Sequence, residues 1–172
     1  MFFAIQDLEI RKIHFDVVFQ PGEIDLADPD LKQVSPLNAR GVAELLNNTL
    51  GEIRLQGHLQ TSLESICDRC LEPAGFSFDC DFDLYFRPVT TSPTVEDLEL
   101  EQGETEISFY EGDGVQLEEA LREHILLLLP MQKVCREDCK GICPICAGNR
   151  NYTSCNCRLQ ALDDRWAALR NL

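Results

Sequence analysis

The stretch from Ile53 to Phe86 decides the fold, because it contains two alternating segments separated by a turn. The first segment reads "IRLQGHLQTSL" (Ile53 to Leu63) and the second reads "FSFDCDFDLYF" (Phe76 to Phe86). Alternation of apolar and polar residues is typical of a strand with one buried face and one solvated face. The segment between them, "SICDRCLEPAG", contains Pro73 and Gly75. We therefore predict a long hairpin with the CDRC motif at its tip.

Two further strands are predicted upstream of the hairpin. Apolar residues alternate from Ile13 to Phe19, and the stretch from Val42 to Leu46 is apolar enough to pair with the next strand across "NNTLG". Strands that follow each other with short turns form antiparallel sheets with one face on a core and one in water. We expect an antiparallel meander or a partial barrel.

A different period follows and predicts one main helix over 114–129. The residues spaced at helical intervals are Leu117, Ala120, Leu121, Ile125 and Leu128. Asp113 is positioned to cap this helix, and Pro130 should stop it. Its apolar face should close over the sheet, which gives the α+β class. A shorter helix is expected from Asp163 to Leu172.

The charge is distributed unevenly along the chain, whose net charge is −15. Residues 1–130 carry 26 acidic and 8 basic side chains, whereas residues 131–172 carry 4 acidic and 7 basic ones. We therefore predict an acidic β-rich core domain over 1–130 and a cysteine-rich, zinc-binding tail over 131–172. Glu96 to Glu106 contains six acids and no base, which indicates a solvated loop. An acidic body repels phosphate backbones and favours basic partners, although a generally solubilising surface explains the charge equally well.

The first residues do not resemble a signal peptide, since Asp7 and Glu9 interrupt the apolar run and no basic stretch precedes it. No apolar run exceeds five residues, which is far too short to cross a bilayer. We expect a cytoplasmic protein that does not bind membranes. In a reducing compartment, clustered cysteines hold metal or perform redox chemistry more often than they form structural disulfides.

Eight of the nine cysteines are candidate zinc ligands, because alternation places Cys80 on the buried face of a strand. They are Cys67, Cys70, Cys135, Cys139, Cys143, Cys146, Cys155 and Cys157. Zinc prefers four soft ligands in a tetrahedron, and a turn such as "CPIC" directs two sulfurs into one concavity. Eight ligands suffice for two four-cysteine sites, or for one site with spare thiols. A closed four-cysteine site has no open position, so its role would be structural.

Three pairings of the Cys143/Cys146 half-site are compatible with the spacing. It could join Cys67 and Cys70, it could join Cys155 and Cys157, or it could join Cys135 and Cys139. The sequence does not choose between these pairings. A thiol oxidoreductase using Cys67 and Cys70 is a further alternative, but the CDRC motif lacks the helix N-terminus that lowers the pKa of a reactive thiol.

Four basic residues of the tail could contact phosphate groups: Arg136, Lys140, Arg150 and Arg158. They make an RNA-binding zinc module a second candidate. The charge favours it only modestly, because four thiolates around one zinc ion leave −2 and reduce the tail from +3 to about +1. The sequence contains neither a phosphate-binding glycine loop nor a nucleophile elbow. We therefore expect no catalysis and no small-molecule substrate.

Several quoted elements together resemble the bacterial YceD family, whose members are described as large ribosomal RNA subunit accumulation proteins. These elements are "CDRCLEP", an acidic loop, a helix ending "LLLLP", "CREDCKGICPICAGNRNYTSCNC" and the closing "DDRWAALRNL". The resemblance spans roughly Ile53 to the C-terminus. The chain departs from the family pattern at two places. The family usually has glycine directly after the last cysteine of the CPxC motif, where this chain has Ala147 and then Gly148. The closing helix of the family usually begins with Asp-Pro-Arg, where this chain reads Asp163-Asp164-Arg165.

The resemblance implies a non-enzymatic role in making or preserving large-subunit ribosomal RNA. It also implies a partner among the large-subunit ribosomal proteins or a pre-ribosomal particle, with direct RNA contact possible. Many family members lack part of the tail cluster, which implies that zinc supports the fold and does not perform the shared function. The acidic body suits a basic ribosomal protein or a pre-ribosomal particle better than naked RNA.

Overall fold

The computed structural model describes residues 1–47, 49, 51–89 and 107–157, and the chain forms two compact units. The first unit comprises Met1–Ser65 and Gly75–Met131, and the second comprises Ile66–Ala74 and Gln132–Leu172. The predicted acidic loop from Glu96 to Glu106 and the predicted closing helix from Asp163 lie outside the described residues. The division into an acidic core domain over 1–130 and a zinc-binding tail over 131–172 stays a prediction.

Eight strands and two helices make up the described elements. In chain order they are β1 (Phe2–Ala4), α1 (Ile5–Ile10), β2 (Ile13–Phe19), β3 (Lys32–Gln33), β4 (Leu37–Leu45), β5 (Ile53–Ile66), β6 (Pro73–Pro88), β7 (Ile107–Tyr110), β8 (Gly114–Gln116) and α2 (Leu117–Leu128). None of the helices in the described ranges is long and apolar enough to cross a membrane.

The strands of the hairpin lie at the centre of a six-stranded open sheet. Its order is β2-β4-β5-β6-β7, with β3 paired to the far end of β5. The β2–β4 and β4–β5 pairs are antiparallel, as the alternation predicted. The β6–β7 pair is parallel, with Tyr85 opposite Ile107. A parallel pair needs a long connection, so the local turn patterns that define a meander could not have predicted it.

The core confirms the α+β class. Alternate residues of β5 are fully buried, and they belong to one hydrophobic cluster with the apolar face of α2. The most deeply buried members are Ile53, Leu55, Leu59, Leu63, Leu117, Leu121 and Ile125. Burial of each such side chain stabilises the fold by about 1.5–3 kcal/mol, so the helix is held by its packing on the sheet.

The helix begins later than its sequence predicted, at Leu117 and not at 114. Residues Gly114–Gln116 form β8, which pairs with β1 in a separate two-stranded sheet. Asp113 is not the cap: its carbonyl oxygen accepts a hydrogen bond of 2.8 Å from the backbone N–H of Ile5. Gln116 occupies the cap position without a side-chain hydrogen bond. The pairing with β1 is a long-range contact, which no local pattern reveals.

Two glycines face each other at the centre of the sheet, Gly41 on β4 and Gly57 on β5. A Cβ atom on Gly57 would lie 2.3 Å from the carbonyl oxygen of Arg40 and 2.9 Å from the ring of Phe82. The rings of Phe82 and Phe15 stack with centroids 6.5 Å apart. Phe15 is equally close to the position of a Cβ on Gly41. The glycines therefore make room for two aromatic rings in the core.

The solvated face of the hairpin carries paired charges. The guanidinium of Arg54 donates two hydrogen bonds of 2.7 Å to the carboxylate of Asp83. His58 lies with its two ring nitrogens 3.0 Å and 2.9 Å from the carboxylates of Asp79 and Asp81. The three aspartates that alternate along this face of β6, Asp79, Asp81 and Asp83, thus each contact a polar or cationic side chain of β5.

Two candidate metal centres

The first cluster of cysteines is built on the turn between β5 and β6, which belongs to the second unit. The backbone N–H of Cys67 donates to the carbonyl of Glu72 at 2.8 Å, and that of Leu71 donates to the carbonyl of Cys67 at 2.9 Å. Leu71 closes the turn with a left-handed φ of 63°. The side chains of Cys67 and Cys70 are 0% and 4% exposed. Both sulfurs are therefore withdrawn from solvent.

Asp68 and Arg69, which lie between these cysteines, form hydrogen bonds with the backbone of the tail. The backbone N–H of Asp68 donates to the carbonyl of Lys133 at 2.8 Å, and the backbone N–H of Lys133 donates to the carboxylate of Asp68 at 2.6 Å. The carbonyl of Arg69 accepts from the N–H of Ile142 at 2.9 Å, and its guanidinium reaches the carbonyl of Cys139 at 3.4 Å. Asp68 and Arg69 thus position the tail cysteines, a role that sequence reasoning missed.

The sulfurs of Cys67, Cys70, Cys135 and Cys139 all lie within 4.8 Å of one another. The Cys67 and Cys139 sulfurs are 3.9 Å apart, and those of Cys70 and Cys135 are 3.6 Å apart. A tetrahedral zinc ion with Zn–S bonds of about 2.3 Å requires sulfurs about 3.8 Å apart. The four sulfurs therefore have the spacing that one tetrahedral metal ion requires.

Hydrogen-bond donors surround this cluster, as they do in sites that hold thiolates. The backbone N–H of Cys135 donates to the sulfur of Cys67, and the amide of Asn151 donates to the sulfur of Cys139, both at 3.4 Å. Burial acts against ionisation of Cys67, but backbone N–H donors outweigh it and lower the pKa of this thiol to about 6. The amide of Asn151 is the main reason that the pKa of Cys139 is also lowered. Metal coordination requires deprotonated sulfur, so these donors favour it at Cys67 and Cys139, whereas desolvation and the neighbouring sulfurs raise the pKa of Cys135 to about 12.

The second cluster consists of Cys143, Cys146, Cys155 and Cys157, whose sulfurs also lie within 4.8 Å of one another. The "CPIC" turn forms its first half: the N–H of Ala147 donates to the carbonyl of Cys143 at 2.9 Å. Backbone N–H groups at Cys146 and Ile145 lower the pKa of Cys143 to about 6. In contrast, the hydrogen bond with the sulfur of Cys146 raises the pKa of Cys157 to about 12.

Ala147 occupies the position at which the resemblance noted in the sequence leads us to expect glycine. It adopts a left-handed φ of 55°. Glycine has little preference against this conformation, whereas alanine disfavours it. The turn of this chain therefore keeps the glycine-like conformation with a residue that is strained there.

Of the three pairings open from sequence, the structure brings Cys143 and Cys146 together with Cys155 and Cys157. It groups Cys67 and Cys70 with Cys135 and Cys139. All nine cysteines are free thiols. Cys80 takes no part in either cluster: it is half-buried and packs against the core of the first unit.

The two clusters differ in their exposure to solvent. In the first cluster Cys67, Cys70 and Cys139 are buried, while Cys135 is exposed. In the second cluster only Cys143 is buried, while Cys146, Cys155 and Cys157 are exposed. A metal ion in the second cluster would therefore be more accessible to chelators and oxidants.

The contact of the tail's basic residues with phosphate groups stays a prediction. Arg136 is exposed and pairs with Asp138 at 3.2 Å. Lys140 and Arg150 are exposed, and their backbone N–H groups are used in the loop around Asn151 and Gly141. Arg158 lies outside the described residues.

The sequence is similar to known proteins over most of its length. The sequence model of the family described as "Large ribosomal RNA subunit accumulation protein YceD" matches residues 55–172. The chain is 28% identical over 131 residues to a maize protein named "Large ribosomal RNA subunit accumulation protein YCED homolog 1, chloroplastic". This match covers 63% of this chain and 45% of the maize protein. Its Arabidopsis thaliana counterpart is 27% identical over 143 residues, covering 70% and 44%.

A mycobacterial relative named only as an uncharacterised protein, from Mycobacterium bovis, is 33% identical over 104 residues, covering 60% of this chain and 47% of the relative. The chain thus spans slightly under half the length of these curated relatives. No solved structure matches the chain significantly.

Proposed function

The chain belongs to the YceD family of large ribosomal RNA subunit accumulation proteins, and from this premise we propose that it supports the accumulation of large-subunit ribosomal RNA without catalysis. We propose that it does so by binding a basic large-subunit ribosomal protein, alone or within a pre-ribosomal particle. The match over residues 55–172, which includes both cysteine clusters, is the observation that carries this proposal.

We further propose that each cysteine cluster holds one structural zinc ion. The sulfur spacing of the first cluster suits a tetrahedral ion, and four cysteines leave no open coordination position for a substrate. Thiolate ligands select soft metals such as zinc over magnesium or calcium. Zinc bound in this way contributes its binding energy to folding of the second unit.

The charge of the zinc-loaded chain supports a basic partner over RNA. Each zinc ion with four thiolates carries −2, so two filled clusters change the formal net charge from −15 to about −19. Such a chain repels the phosphate backbone of RNA and attracts lysine- and arginine-rich surfaces. This attraction weakens as salt screens the charges.

A pull-down at low and high salt, combined with ribosome profiles of a deletion strain, tests the function. We expect the tagged protein to retain large-subunit components at low salt and to lose them as salt is raised. The deletion strain should accumulate less large-subunit ribosomal RNA. Normal profiles in that strain, together with a protein that retains no ribosomal component, would contradict the proposal.

Direct RNA binding by the second unit is the second candidate, and one observation favours it. The side chain of Tyr152 is 75% exposed and lies two residues beyond the exposed Arg150. Exposed aromatic rings next to cations form stacking platforms for single-stranded nucleic acid. Reversing the charge of Lys140 and Arg150 should abolish RNA retention if this candidate is correct, and unchanged retention would exclude it.

The burial of the CDRC motif argues against the oxidoreductase alternative, although the pKa of Cys67 is lowered to about 6. A catalytic thiol must be accessible to its substrate, whereas Cys67 and Cys70 are almost completely buried. Their sulfurs approach those of Cys139 and Cys135, so the motif supplies half of a four-sulfur cluster. Metal content discriminates between a zinc site and an oxidoreductase, because a metal-free protein with a readily cycling disulfide would support the oxidoreductase.

A further inference from the structure

A small groove in the first unit combines exposed aromatic rings with carboxylates. We call it the Phe109 groove, and its lining includes Phe2, Phe109, Glu111, Glu119 and Glu123. Its cavity volume is about 270 Å³. Pockets for small-molecule ligands usually measure about 300–1,000 Å³, so this groove suits protruding side chains better than a cofactor.

The carboxylates of the groove have no ionic partner within the described part of the chain. Glu119 and Glu123 are four residues apart on α2 and therefore share one helix face, and Glu111 precedes β8. All three are exposed, and none forms a salt bridge with a described residue. Three unpaired negative charges around one groove attract a cation.

A larger concavity of this unit has only one carboxylate without an ion pair among the described residues, Asp16, and it also contains the cation Arg40. It measures about 800 Å³ and lies on the solvated face of the hairpin. Asp83 in that concavity already accepts two hydrogen bonds from Arg54, and Asp81 is paired with His58. A basic partner would have to displace these contacts, whereas the carboxylates of the Phe109 groove are available.

The aromatic rings add a second requirement for the occupant. Phe2 and Phe109 are 50% and 55% exposed, which is unusual for large apolar side chains at the surface of one groove. Arginine and lysine side chains carry an apolar stem and a charged head, so they can cover such rings while the head pairs with a carboxylate. Phe109 also lies on β7, an edge strand of the six-stranded sheet.

We propose that the Phe109 groove binds an arginine- or lysine-rich segment of a partner protein, whose stems pack on Phe2 and Phe109 and whose charges pair with Glu111, Glu119 and Glu123. The inference rests on the proposed function, for which it names a contact surface. RNA is the less suitable occupant, because three carboxylates would repel its phosphate groups.

Fluorescence anisotropy with two labelled probes tests this groove in the full chain. One probe is a synthetic peptide rich in arginine and leucine, and the other is a single-stranded RNA. The test variants are the double substitution Glu119→Gln/Glu123→Gln and the single substitution Phe109→Ala. The matched control is Glu9→Gln/Asp30→Asn, which removes two exposed charges that do not line the groove.

We expect the peptide to bind the wild type and the control equally. The glutamine double variant should bind about tenfold more weakly, because it loses two charge pairs. Phe109→Ala should weaken binding at high salt as well, since packing is not screened. Equal peptide affinity for all four proteins, or tighter binding of the RNA probe than of the peptide, would overturn the proposal.

A parallel capture experiment separates this inference from the proposed function. If the glutamine variant retains large-subunit components as well as the wild type does, the groove is wrong and the function stands. If the wild type itself retains none and the deletion strain is normal, the proposed function fails, whatever the peptide shows. Loss of capture in the glutamine variant alone supports both.

Discussion

The sulfur of Cys67 lies 3.9 Å from the sulfur of Cys139, although 72 positions of sequence separate the two residues. This contact joins the tip of the long hairpin to the tail within the second unit. Because Cys67 is completely buried, an uncompensated thiolate would be costly there, and a metal ion would remove that cost.

We predict about two zinc ions per chain by elemental analysis, with about eight thiols protected from titration until a chelator is added. Cys139→Ser should lower the content to about one ion and destabilise the second unit. Cys80→Ser is the matched control and should retain both ions, since Cys80 belongs to neither cluster. A purified chain without transition metal would refute the prediction.

The two ions should differ in lability. A chelator should extract zinc from the more exposed cluster of Cys143, Cys146, Cys155 and Cys157 before it reaches the first cluster, three of whose four cysteines are buried. A chromogenic chelator should therefore show a fast and a slow phase of release. Cys155→Ser should remove the fast phase and leave the slow one, whereas a single phase in the wild type would show that both clusters open together.

Substitution of Gly57 by alanine should destabilise the first unit by about 1–3 kcal/mol or more, because the added Cβ would meet the backbone of Arg40 at 2.3 Å. Gly75→Ala is the control in the same sheet: its Cβ would meet nothing within 4 Å. Urea unfolding followed by circular dichroism measures both. Similar midpoints for the two variants would show that the central strands can separate at little cost.

The pair of Arg54 and Asp83 should make stability depend on pH. Hydrogen bonds from Arg54 hold the pKa of Asp83 below its ordinary value. A lowered carboxyl pKa stabilises the fold above the pKa of the unfolded chain, about 3.9, and this contribution is lost as the pH falls through the lower folded value. Since the carboxylate is 45% exposed, the contribution is only about 0.5–1 kcal/mol.

Asp83→Asn should therefore reduce the free energy of unfolding at neutral pH and lose this effect in strong acid. Asp30→Asn, at an exposed position, should have no effect at either pH. Urea titrations at neutral and acid pH measure the difference. A constant gap between wild type and Asp83→Asn at all pH values would point to packing as its cause.

The elements that sequence predicted well are those with a long, regular period. The hairpin of β5 and β6 extends over many residues, so its alternation was unambiguous, and the main helix was recognised from five spaced apolar residues. The start of α2 was misplaced, because Gly114–Gln116 pairs with a strand more than 100 residues away. The three-residue strands are too short to show a period at all.

The candidate site was also predicted only in part from the sequence. Soft ligands and a CPxC turn identified the cysteines, because ligand chemistry is local. Their grouping depends on backbone contacts such as that between Arg69 and Ile142, which arise only when the chain is folded. The groove around Phe109 was also invisible in the sequence, since its residues come from four separate segments.

Cys139 belongs to one cluster and Cys143 to the other, and only Lys140, Gly141 and Ile142 lie between them. If an ion occupies the first cluster, the anchor at Cys139 restricts the positions that Cys143 can reach. The second cluster then loses less conformational entropy when it binds its own ion. Occupancy of one centre then raises affinity at its neighbour, and thermodynamic reciprocity requires the converse. The one-ion species left after the exposed cluster is emptied should therefore hold its remaining ion less tightly than the two-ion species does.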